Sequence, residues 1–403
     1  MMKFTKIQIF ISKYLNARSI HSENLTSAEP SQASLQDLVK IFNNENFKEV
    51  LSEVNKLIRS FPQSAVLFNI QGASYAALHQ HNSAVDSYKI SLSLNPNFSG
   101  AYNNMSVSQQ KNGELDLALE SSRQAIEIKP DFAEAYLNQG NILHQKGNLR
   151  EAINVYSKAI QTRRGYADAY NNMGNVQKDL GDLDVAINSY LRAINLKTDY
   201  AEAYGNLGIA LRDKGDLEKA IENFRQAISL NPNFSEAHNN LGIALKDKGN
   251  LSSAIDSYNI ALKINPRYAK AHFHLGMALK ENGNIDGSID SYKNAIKINP
   301  NYAEAYSNMG NNFREKGDIE NSIKSYKTAI KIQFDYTDAY YNLGIALTYR
   351  GDFDAAIINY NAVLKIEPNH AEAQHLLVSL LGNTTSSAPR EYVERLFDGY
   401  AWK

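Results

Sequence analysis

Residues 201–234, AEAYGNLGIALRDKGDLEKAIENFRQAISLNPNF, decide the fold. The next residues, 235–268, read SEAHNNLGIALKDKGNLSSAIDSYNIALKINPRY and repeat the same pattern position for position. A repeat of this length is typical of a solenoid, in which each repeat packs against its neighbours. The same frame continues without a shift over residues 31–370 and predicts about ten tandem repeats.

Each repeat reads as two helices. Residues 201–234 contain two stretches in which apolar residues recur at helical spacing. The first includes Tyr204 and Leu207, and the second includes Ala220 and Phe224. Each stretch marks one apolar face, so we expect the two helices to bury these faces against each other. The sequence therefore predicts an all-α solenoid of helix-turn-helix units.

Two glycines in each repeat have different roles. Gly208 recurs in the first helix, and with Ala220 on the second helix it leaves room for close approach of the two backbones. Gly215 can adopt the left-handed backbone conformation that commonly ends a helix, here the first helix. Asp216 follows it and is a good N-cap for the second helix. We predict the same capping role for the equivalent residues of other repeats, which are Asn148, Asp182, Asn250, Asn284, Asp318 and Asp352.

This pattern resembles the tetratricopeptide repeat. The resemblance implies a superhelical solenoid that binds other polypeptides in its concave groove. The predicted organisation is an N-terminal tail (1–30), the repeat array (31–370), a C-terminal capping helix with a linker (371–386) and an amphipathic tail (387–403). Glu45 and His79 replace the turn glycine in the first two repeats, as expected where terminal repeats cap the core.

Composition excludes several classes of function. The 403 residues carry a net charge of −1, which gives no reason to expect nucleic acid as a partner, and they include no cysteine. No apolar run is long enough to span a bilayer. The chain has no phosphate-binding glycine loop, no His-Glu-x-x-His motif and no nucleophile elbow. We therefore predict a cytoplasmic protein that needs no cofactor and does not catalyse a reaction itself.

The first residues have a composition of their own. Lys3, Lys6, Lys13 and Arg18 precede the first acidic residue, Glu23. Targeting peptides are basic and poor in acidic residues, but no secretory apolar region or cleavage site is evident here. We favour a mobile tail over a targeting segment.

A row of asparagines is the strongest functional signal. Asparagine is a mediocre helix-interior residue, yet it recurs at one position of the first helix, interrupted only by His274. An amide both donates and accepts hydrogen bonds, so a row of amides could grip the backbone of an extended peptide. The alternative is that each amide bonds to the neighbouring repeat. The asparagine row comprises Asn104, Asn138, Asn172, Asn206, Asn240, Asn308 and Asn342.

The asparagine row resembles that of the protein O-GlcNAc transferases, whose repeats hold substrate polypeptides by such residues. The resemblance is confined to the repeats, because the glycosyltransferase domain is absent from this sequence. It implies a protein or peptide ligand. His238 and His272 take the place of Tyr204 in their repeats, so we interpret them as packing residues rather than metal ligands.

An acidic row ends the first helices. Asp179, Asp213 and Asp247 recur one repeat apart, and Glu281 and Glu315 continue the series. A basic residue precedes each acid, so the row is either a solvated, charge-laced helix end or a stripe that selects basic peptides. The second interpretation adds these three aspartates to the candidate peptide-binding residues.

The C-terminal residues suggest an alternative function. Residues 371–381 read as a first helix that is apolar around most of its circumference and is followed by no second helix. Beyond the linker, the tail resembles the segment that joins repeats to a class I methyltransferase domain, through Tyr392, Val393, Leu396, Phe397, Asp398, Tyr400 and Ala401. The resemblance favours a detached recognition arm of a methyltransferase or glycosyltransferase whose catalytic subunit is a separate chain. We expect the tail to cover the apolar edge, and self-association through that edge without it.

Overall fold

The structure is a computed structural model that describes residues 29–382. Over this range it contains 21 α-helices and no β-strand, which confirms the predicted all-α class. None of these helices is long and apolar enough to cross a membrane. The chain divides into two compact parts, which we call the N-terminal half (to Ala210) and the C-terminal half (from Leu211).

The helices alternate between the two types that the repeat predicts. The first helices of the repeats are α1 (Gln32–Asn43), α3 (Ala65–Ala77), α5 (Ser99–Lys111), α7 (Ala133–Gln145), α9 (Ala167–Asp179), α11 (Ala201–Asp213), α13 (Ser235–Asp247), α15 (Ala269–Glu281), α17 (Ala303–Glu315) and α19 (Thr337–Arg350). The second helices are α2 (Phe47–Ser60), α4 (His81–Leu94), α6 (Leu115–Ile128), α8 (Leu149–Thr162), α10 (Leu183–Leu196), α12 (Leu217–Leu230), α14 (Leu251–Ile264), α16 (Ile285–Ile298), α18 (Ile319–Ile332) and α20 (Phe353–Ile366). A last first helix, α21 (Ala371–Leu380), follows them.

A glycine and a tyrosine fix how the two helices of a repeat approach. The sequence pattern places alanine opposite the first-helix glycine, but the structure places a tyrosine ring there: a Cβ atom on Gly174 would lie 2.7 Å from Cε1 of Tyr190. Any side chain at the glycine would overlap the ring. The same contact joins Gly72, Gly140, Gly242, Gly276, Gly310 and Gly344 to Tyr88, Tyr156, Tyr258, Tyr292, Tyr326 and Tyr360. These tyrosines are almost completely buried.

The turn glycine has the left-handed conformation that its position predicts. It follows each first helix from α5 to α19 with φ between 77° and 91°, a region that favours glycine. In the first two repeats, Glu45 (φ 58°) and His79 (φ 60°) adopt the same conformation despite their side chains. The glycines are Gly113, Gly147, Gly181, Gly215, Gly249, Gly283, Gly317 and Gly351.

The predicted N-caps are correct in five repeats and wrong in two. The side chains of Asp216, Asn250, Asn284, Asp318 and Asp352 each accept a hydrogen bond from the backbone N–H three residues later, at 2.9–3.3 Å. Asn148 and Asp182 make no such bond. Their backbone differs slightly, with ψ at 62° instead of 72–75° in the five capped turns.

The C-terminal helix is less exposed than its sequence suggests. Leu376, Leu377 and Leu380 of α21 pack against the core formed by α18, α19 and α20. Gln374 and Ser379 give the helix a polar, exposed side. Helix α21 therefore buries part of its apolar surface against the preceding repeat and exposes a polar side.

Candidate functional site

The asparagine row runs along consecutive first helices. Six of its seven side chains are half-exposed, and the seventh, Asn104, is only 7% exposed. His274, which replaces asparagine at this position in one repeat, is also half-exposed. Asn104 therefore lies within the interface between first helices, whereas the other positions remain accessible to a ligand.

Three asparagines of the row donate to a second set of amides in the preceding repeat. Each acceptor stands one position earlier in the repeat frame than the row itself. The bonds run from Nδ2 to Oδ1 for Asn104 to Asn69 (3.1 Å), Asn138 to Asn103 (2.8 Å) and Asn206 to Asn171 (3.0 Å). We call Asn69, Asn103, Asn171 and their equivalent Asn239 the inner asparagines; all four are at most 9% exposed.

The exceptions follow from which residue holds the inner position. In the fourth repeat that residue is Leu137, which offers no polar side-chain atom, and Asn172 donates instead to Asn141 at 2.8 Å. His274 keeps the usual geometry, because its Nδ1 lies 2.9 Å from Oδ1 of Asn239. Since a carbonyl oxygen accepts, this contact places the proton of the neutral imidazole on Nδ1.

The carbonyl oxygens of the row are also partly engaged. Asn171 donates to Asn172 at 3.3 Å, and Asn239 donates to Asn240 at 3.4 Å. Asn171 and Asn239 thus bond both to their own row residue and to the row position of the next repeat. Toward the C-terminus, Asn342 donates to the backbone carbonyl of Asp338 in its own helix at 2.9 Å.

The position three residues after the asparagine row differs between repeats. Where it is asparagine, its Oδ1 accepts from the hydroxyl of the packed tyrosine, in the pairs Asn141 with Tyr156 (2.8 Å), Asn175 with Tyr190 (2.8 Å) and Asn311 with Tyr326 (2.7 Å). Ile243, Met277 and Ile345 occupy this position in the C-terminal half and are half-exposed. Beside Ile243, the Tyr258 hydroxyl is buried without a hydrogen-bond partner among the described residues.

The acidic row alternates with positive charge. Asp179 lies 2.7 Å from Nε2 of His144 in the preceding repeat and 3.0 Å from Nζ of Lys178. Burial raises the pKa of Asp179, but the hydrogen bonds from these two groups outweigh it and the pKa is lowered. Asp213 pairs with its neighbour Arg212 at 2.8 Å, and Asp247 is exposed at the same step.

The later acids pair across repeats. Lys246 lies 3.3 Å from Glu281, and Lys280 lies 3.4 Å from Glu315. All these groups are substantially exposed, so each pair contributes at most about 1 kcal/mol to stability. The row therefore presents acids that already have basic neighbours.

His238 and His272 contact the backbone of the preceding turn. Nε2 of His238 lies 3.1 Å from the carbonyl oxygen of Pro232, and His272 makes the same contact with Pro266. This geometry uses one ring nitrogen of each histidine in a turn. Residues 29–382 contain no group of three acids or histidines that could hold a metal ion.

Comparison with protein families matches these repeats directly. A family model described as "TPR repeat" matches residues 140–348 in six overlapping segments. The chain belongs to the tetratricopeptide repeat (TPR) family. Further models described as "Tetratricopeptide repeat" match residues 99–132, 123–154 and 337–370, so the TPR matches reach from the third repeat to the tenth.

Several solved structures are similar to this chain, and no curated protein matches. The MamA protein is 28% identical over 42% of this chain and 92% of its own, with a TM-score of 0.38. YrrB, "a TPR protein with an unusual peptide-binding site", is 25% identical over 46% of this chain and 95% of its own, also with a TM-score of 0.38. The APC/C hetero-tetramer Cut9-Hcn1 is 14% identical over 94% of this chain and 87% of the matched chain, with a TM-score of 0.52. This last likeness shows the fold alone.

Proposed function

We propose that this TPR protein is an interaction scaffold that binds an extended polypeptide along its first helices, with the asparagine row as hydrogen-bond donors. The observation that carries the proposal is the half-exposed position of six of these asparagines. A side-chain amide has two N–H groups, and in Asn138, Asn172 and Asn206 the bond to the preceding repeat uses one of them. The second N–H is available to a backbone carbonyl of the partner.

The bonds between repeats also support a binding role. Asn138 and Asn206 are each held by a buried inner asparagine, so their amides have a fixed direction before any ligand arrives. Pre-organisation lowers the entropy that a side chain loses on binding. The two interpretations of the row are therefore compatible, because one N–H joins the repeats and the other faces the ligand.

The position three residues after the row varies between repeats and gives the partner different contacts along the array. Asn141 and Asn175 continue the polar surface next to the row. Ile209, Ile243 and Met277 offer half-exposed apolar side chains at the same position. Burying apolar side chains adds affinity in proportion to the area removed from water. We propose that the partner has apolar side chains opposite these three residues and polar ones opposite the asparagines.

The acidic row adds charge selection to the proposal. Asp179, Asp213 and Asp247 are exposed and can pair with basic side chains of a partner. His144, Lys178 and Arg212 compete for two of these acids. A partner of mixed charge therefore fits better than a purely basic one, and we expect binding to weaken only modestly with added salt.

A peptide selected from a random display library and labelled with fluorescein tests the proposal by fluorescence polarisation. The triple variant Asn138→Ala, Asn172→Ala, Asn206→Ala removes three donors. At about 1 kcal/mol for each hydrogen bond, we expect the Kd to rise at least tenfold. A selected peptide whose Kd does not change would contradict the proposal.

The matched control separates binding from stability. The double variant Asn103→Leu, Asn171→Leu removes the buried acceptors of Asn138 and Asn206 but leaves both row amides in place. Leu137 shows that leucine fits this position. We expect the control to lower the melting temperature, because it breaks two bonds between repeats, and to raise the Kd by only about threefold, because the row amides lose their pre-organisation but keep their N–H groups. Equal loss of affinity in both variants would assign the row a structural role.

A second candidate function is a substrate-recognition arm for a catalytic subunit on another chain. The resemblance of Tyr392, Leu396 and Phe397 to a methyltransferase linker favours it, although these residues lie outside the described range. Native purification of the protein, followed by an assay for transfer of a labelled methyl group from S-adenosylmethionine to the selected peptide, tests this candidate. If the purified complex transfers neither the methyl group nor N-acetylglucosamine from UDP-N-acetylglucosamine to the peptide, the scaffold function remains and the recognition-arm function is excluded.

A further inference from the structure

Helix α15 departs from the other first helices on one accessible face. From α7 onward, each first helix of the described range has an acidic residue in its first turn, but α15 has Lys270 there. Residues three or four apart on a helix are neighbours, so Lys270, His274 and Met277 lie together on what we call the α15 face. Lys270 is exposed and the other two are half-exposed. The acids of the other helices are Glu134, Asp168, Glu202, Glu236, Glu304, Asp338 and Glu372.

The ring of His274 offers the partner an acceptor instead of a donor. Its Nδ1 carries the proton, because this atom lies 2.9 Å from Oδ1 of Asn239. The other ring nitrogen, Nε2, makes no hydrogen bond to any residue in the range 29–382. Burial, followed by the charges of Lys270, Arg212 and Lys246, lowers the pKa of this imidazole to about 4, so the ring is neutral at pH 7. Nε2 therefore accepts a hydrogen bond and cannot donate one.

The charges near His274 restrict which donor can approach it. Lys270 makes no ion pair among the described residues, whereas Lys246 pairs with Glu281 at 3.3 Å. A lysine or arginine side chain of the partner would be repelled by the unpaired ammonium group of Lys270. The same ammonium group is attracted to the face of an aromatic ring. The α15 face thus favours a neutral N–H or O–H donor that belongs to an aromatic side chain.

Apolar groups next to the acceptor also fit an aromatic ring. The ring centroid of Phe273 lies 5.8 Å from that of His274, and the ring centroid of Tyr258 lies 5.9 Å from it on the second helix of the preceding repeat. Phe273 and Met277 are half-exposed. A methionine sulfur makes favourable contacts with aromatic rings, and burial of a ring here removes apolar surface from water. Serine and threonine carry a donor but are too small to cover this surface.

We propose that the α15 face is a subsite for a tyrosine or tryptophan side chain of the bound polypeptide, which donates its O–H or N–H to Nε2 of His274. The inference rests on the proposed function, because the subsite takes one side chain of the same polypeptide. It adds sequence selection to binding that otherwise contacts mainly the backbone, and so fixes the register of the polypeptide along the asparagine row. Phenylalanine fills the same space but leaves Nε2 without a donor.

Peptide pairs that differ by one hydroxyl group test the subsite. Selection of a random display library on the wild-type protein should enrich tyrosine or tryptophan at one fixed position. A selected peptide with tyrosine is labelled with fluorescein and compared with its phenylalanine analogue by fluorescence polarisation. We expect the analogue to have a Kd about fivefold higher, the value of one hydrogen bond. Equal Kd values, or a selected set without either residue, would overturn the inference.

Two histidine variants assign the discrimination to His274. The variant His274→Phe keeps an aromatic ring but has no acceptor, so both peptides should bind it with Kd values within about twofold of each other. The matched control is His272→Phe, since residues two apart on a helix point in directions about 200° apart and His272 contacts the carbonyl of Pro266. We expect the control to keep the fivefold difference. Discrimination that persists in His274→Phe would place the donor's partner elsewhere.

The variant Lys270→Glu tests the charge of the face without touching a buried residue. A peptide with lysine in place of the selected tyrosine should bind this variant at least threefold more tightly than it binds the wild type. Equal binding would contradict the role of Lys270.

The triple variant Asn138→Ala, Asn172→Ala, Asn206→Ala separates this inference from the proposed function, because it leaves α15 unchanged. If it weakens both peptides while the wild type does not distinguish them, only the subsite is wrong. If it weakens neither peptide while the wild type still prefers tyrosine, the proposed role of the asparagine row is wrong and the subsite stands.

Discussion

Gly174 and Tyr190 lie in direct contact, with the ring where the glycine side chain would be. The two residues belong to the two helices of one repeat, so their contact sets the distance between α9 and α10. In the third repeat both positions change together, to Ser106 and Ser122, and both serines are fully buried. A small residue on the second helix accompanies a larger one on the first.

Gly174→Ala should destabilise the N-terminal half. Overpacking a buried position costs roughly 1–3 kcal/mol, and the better helix propensity of alanine offsets about 1 kcal/mol of this. We expect a net loss of about 1 kcal/mol in urea unfolding. Ser106→Ala is the matched control, because that position already holds a Cβ atom and faces no tyrosine. A stabilised Gly174→Ala variant would show that the helices separate without cost.

The two serines should be coupled energetically. Ser122→Tyr places a large ring opposite Ser106 and should destabilise the protein, whereas the double variant with Ser106→Gly recreates the contact of the other repeats. A double-mutant cycle measured by denaturant unfolding should give an interaction energy of about 1 kcal/mol or more. Additive effects would refute this coupling.

Glu45→Gly and His79→Gly should each stabilise the protein. A residue with a Cβ atom in the left-handed region costs roughly 1–2 kcal/mol, and the greater flexibility of glycine in the unfolded chain reduces the gain to about 1 kcal/mol. Thermal unfolding measures the effect. Gly249→Ala, which introduces a Cβ atom at φ 82°, should have the opposite sign. A lower melting temperature for both glycine variants would contradict the prediction.

Asp318→Ala should cost more than Asp182→Ala, although both residues precede a second helix at the same repeat position. Asp318 accepts a hydrogen bond from the Asn321 N–H at 3.2 Å, whereas Asp182 accepts none at its helix start. Loss of a cap typically costs about 1 kcal/mol, and loss of a charge near the helix dipole about 0.5 kcal/mol. Equal effects in urea unfolding would show that the capping bond adds nothing.

His274 should make stability depend on pH below neutrality. Burial, followed by the charges of Lys270, Arg212 and Lys246, lowers the pKa of His274 from 6.5 to about 4. Between these values the unfolded chain binds more protons than the folded one, so the free energy of unfolding falls as pH decreases from 6.5 to 4. The loss approaches roughly 3 kcal/mol at pH 4.

The variant His274→Asn restores the residue of the other repeats and removes this titration. The difference in free energy of unfolding between wild type and variant, measured by urea unfolding at several pH values, isolates the contribution of His274. This difference should be constant above pH 7 and should change in favour of the variant as pH falls. A difference that is independent of pH would contradict the lowered pKa.

The repeat frame made much of the fold predictable. Helix pairs and left-handed turns follow from local chemistry that recurs in many copies, as at Gly215 and Gly249. The partner of Gly174 was harder to predict, because a period aligns equivalent positions without showing which of them touch. The sequence signal was present in the paired change to Ser106 and Ser122.

The inner asparagines illustrate the same limit for the candidate site. Asn103, Asn171 and Asn239 each precede a member of the asparagine row, but Leu137 and Gly205 occupy the same position in the intervening repeats and hide the period. Their role depends on the rotation between successive first helices, which brings an inner position of one repeat against the row position of the next. Capping at Asp182 depends on a ψ difference of about 10°, which residue type does not encode.

The contact between Gly174 and Tyr190 also bears on how such an array changes length during evolution. Both partners lie within one repeat, so duplication or loss of a whole repeat inserts or removes them together and leaves no cavity or clash behind. Loss of residues 133–166 would bring Asn172 next to the third repeat, where Asn103 already offers the inner carbonyl that Leu137 lacks. Gain or loss of one complete repeat therefore preserves every such contact, whereas an insertion or deletion of a few residues between Gly174 and Tyr190 would move these two residues out of register.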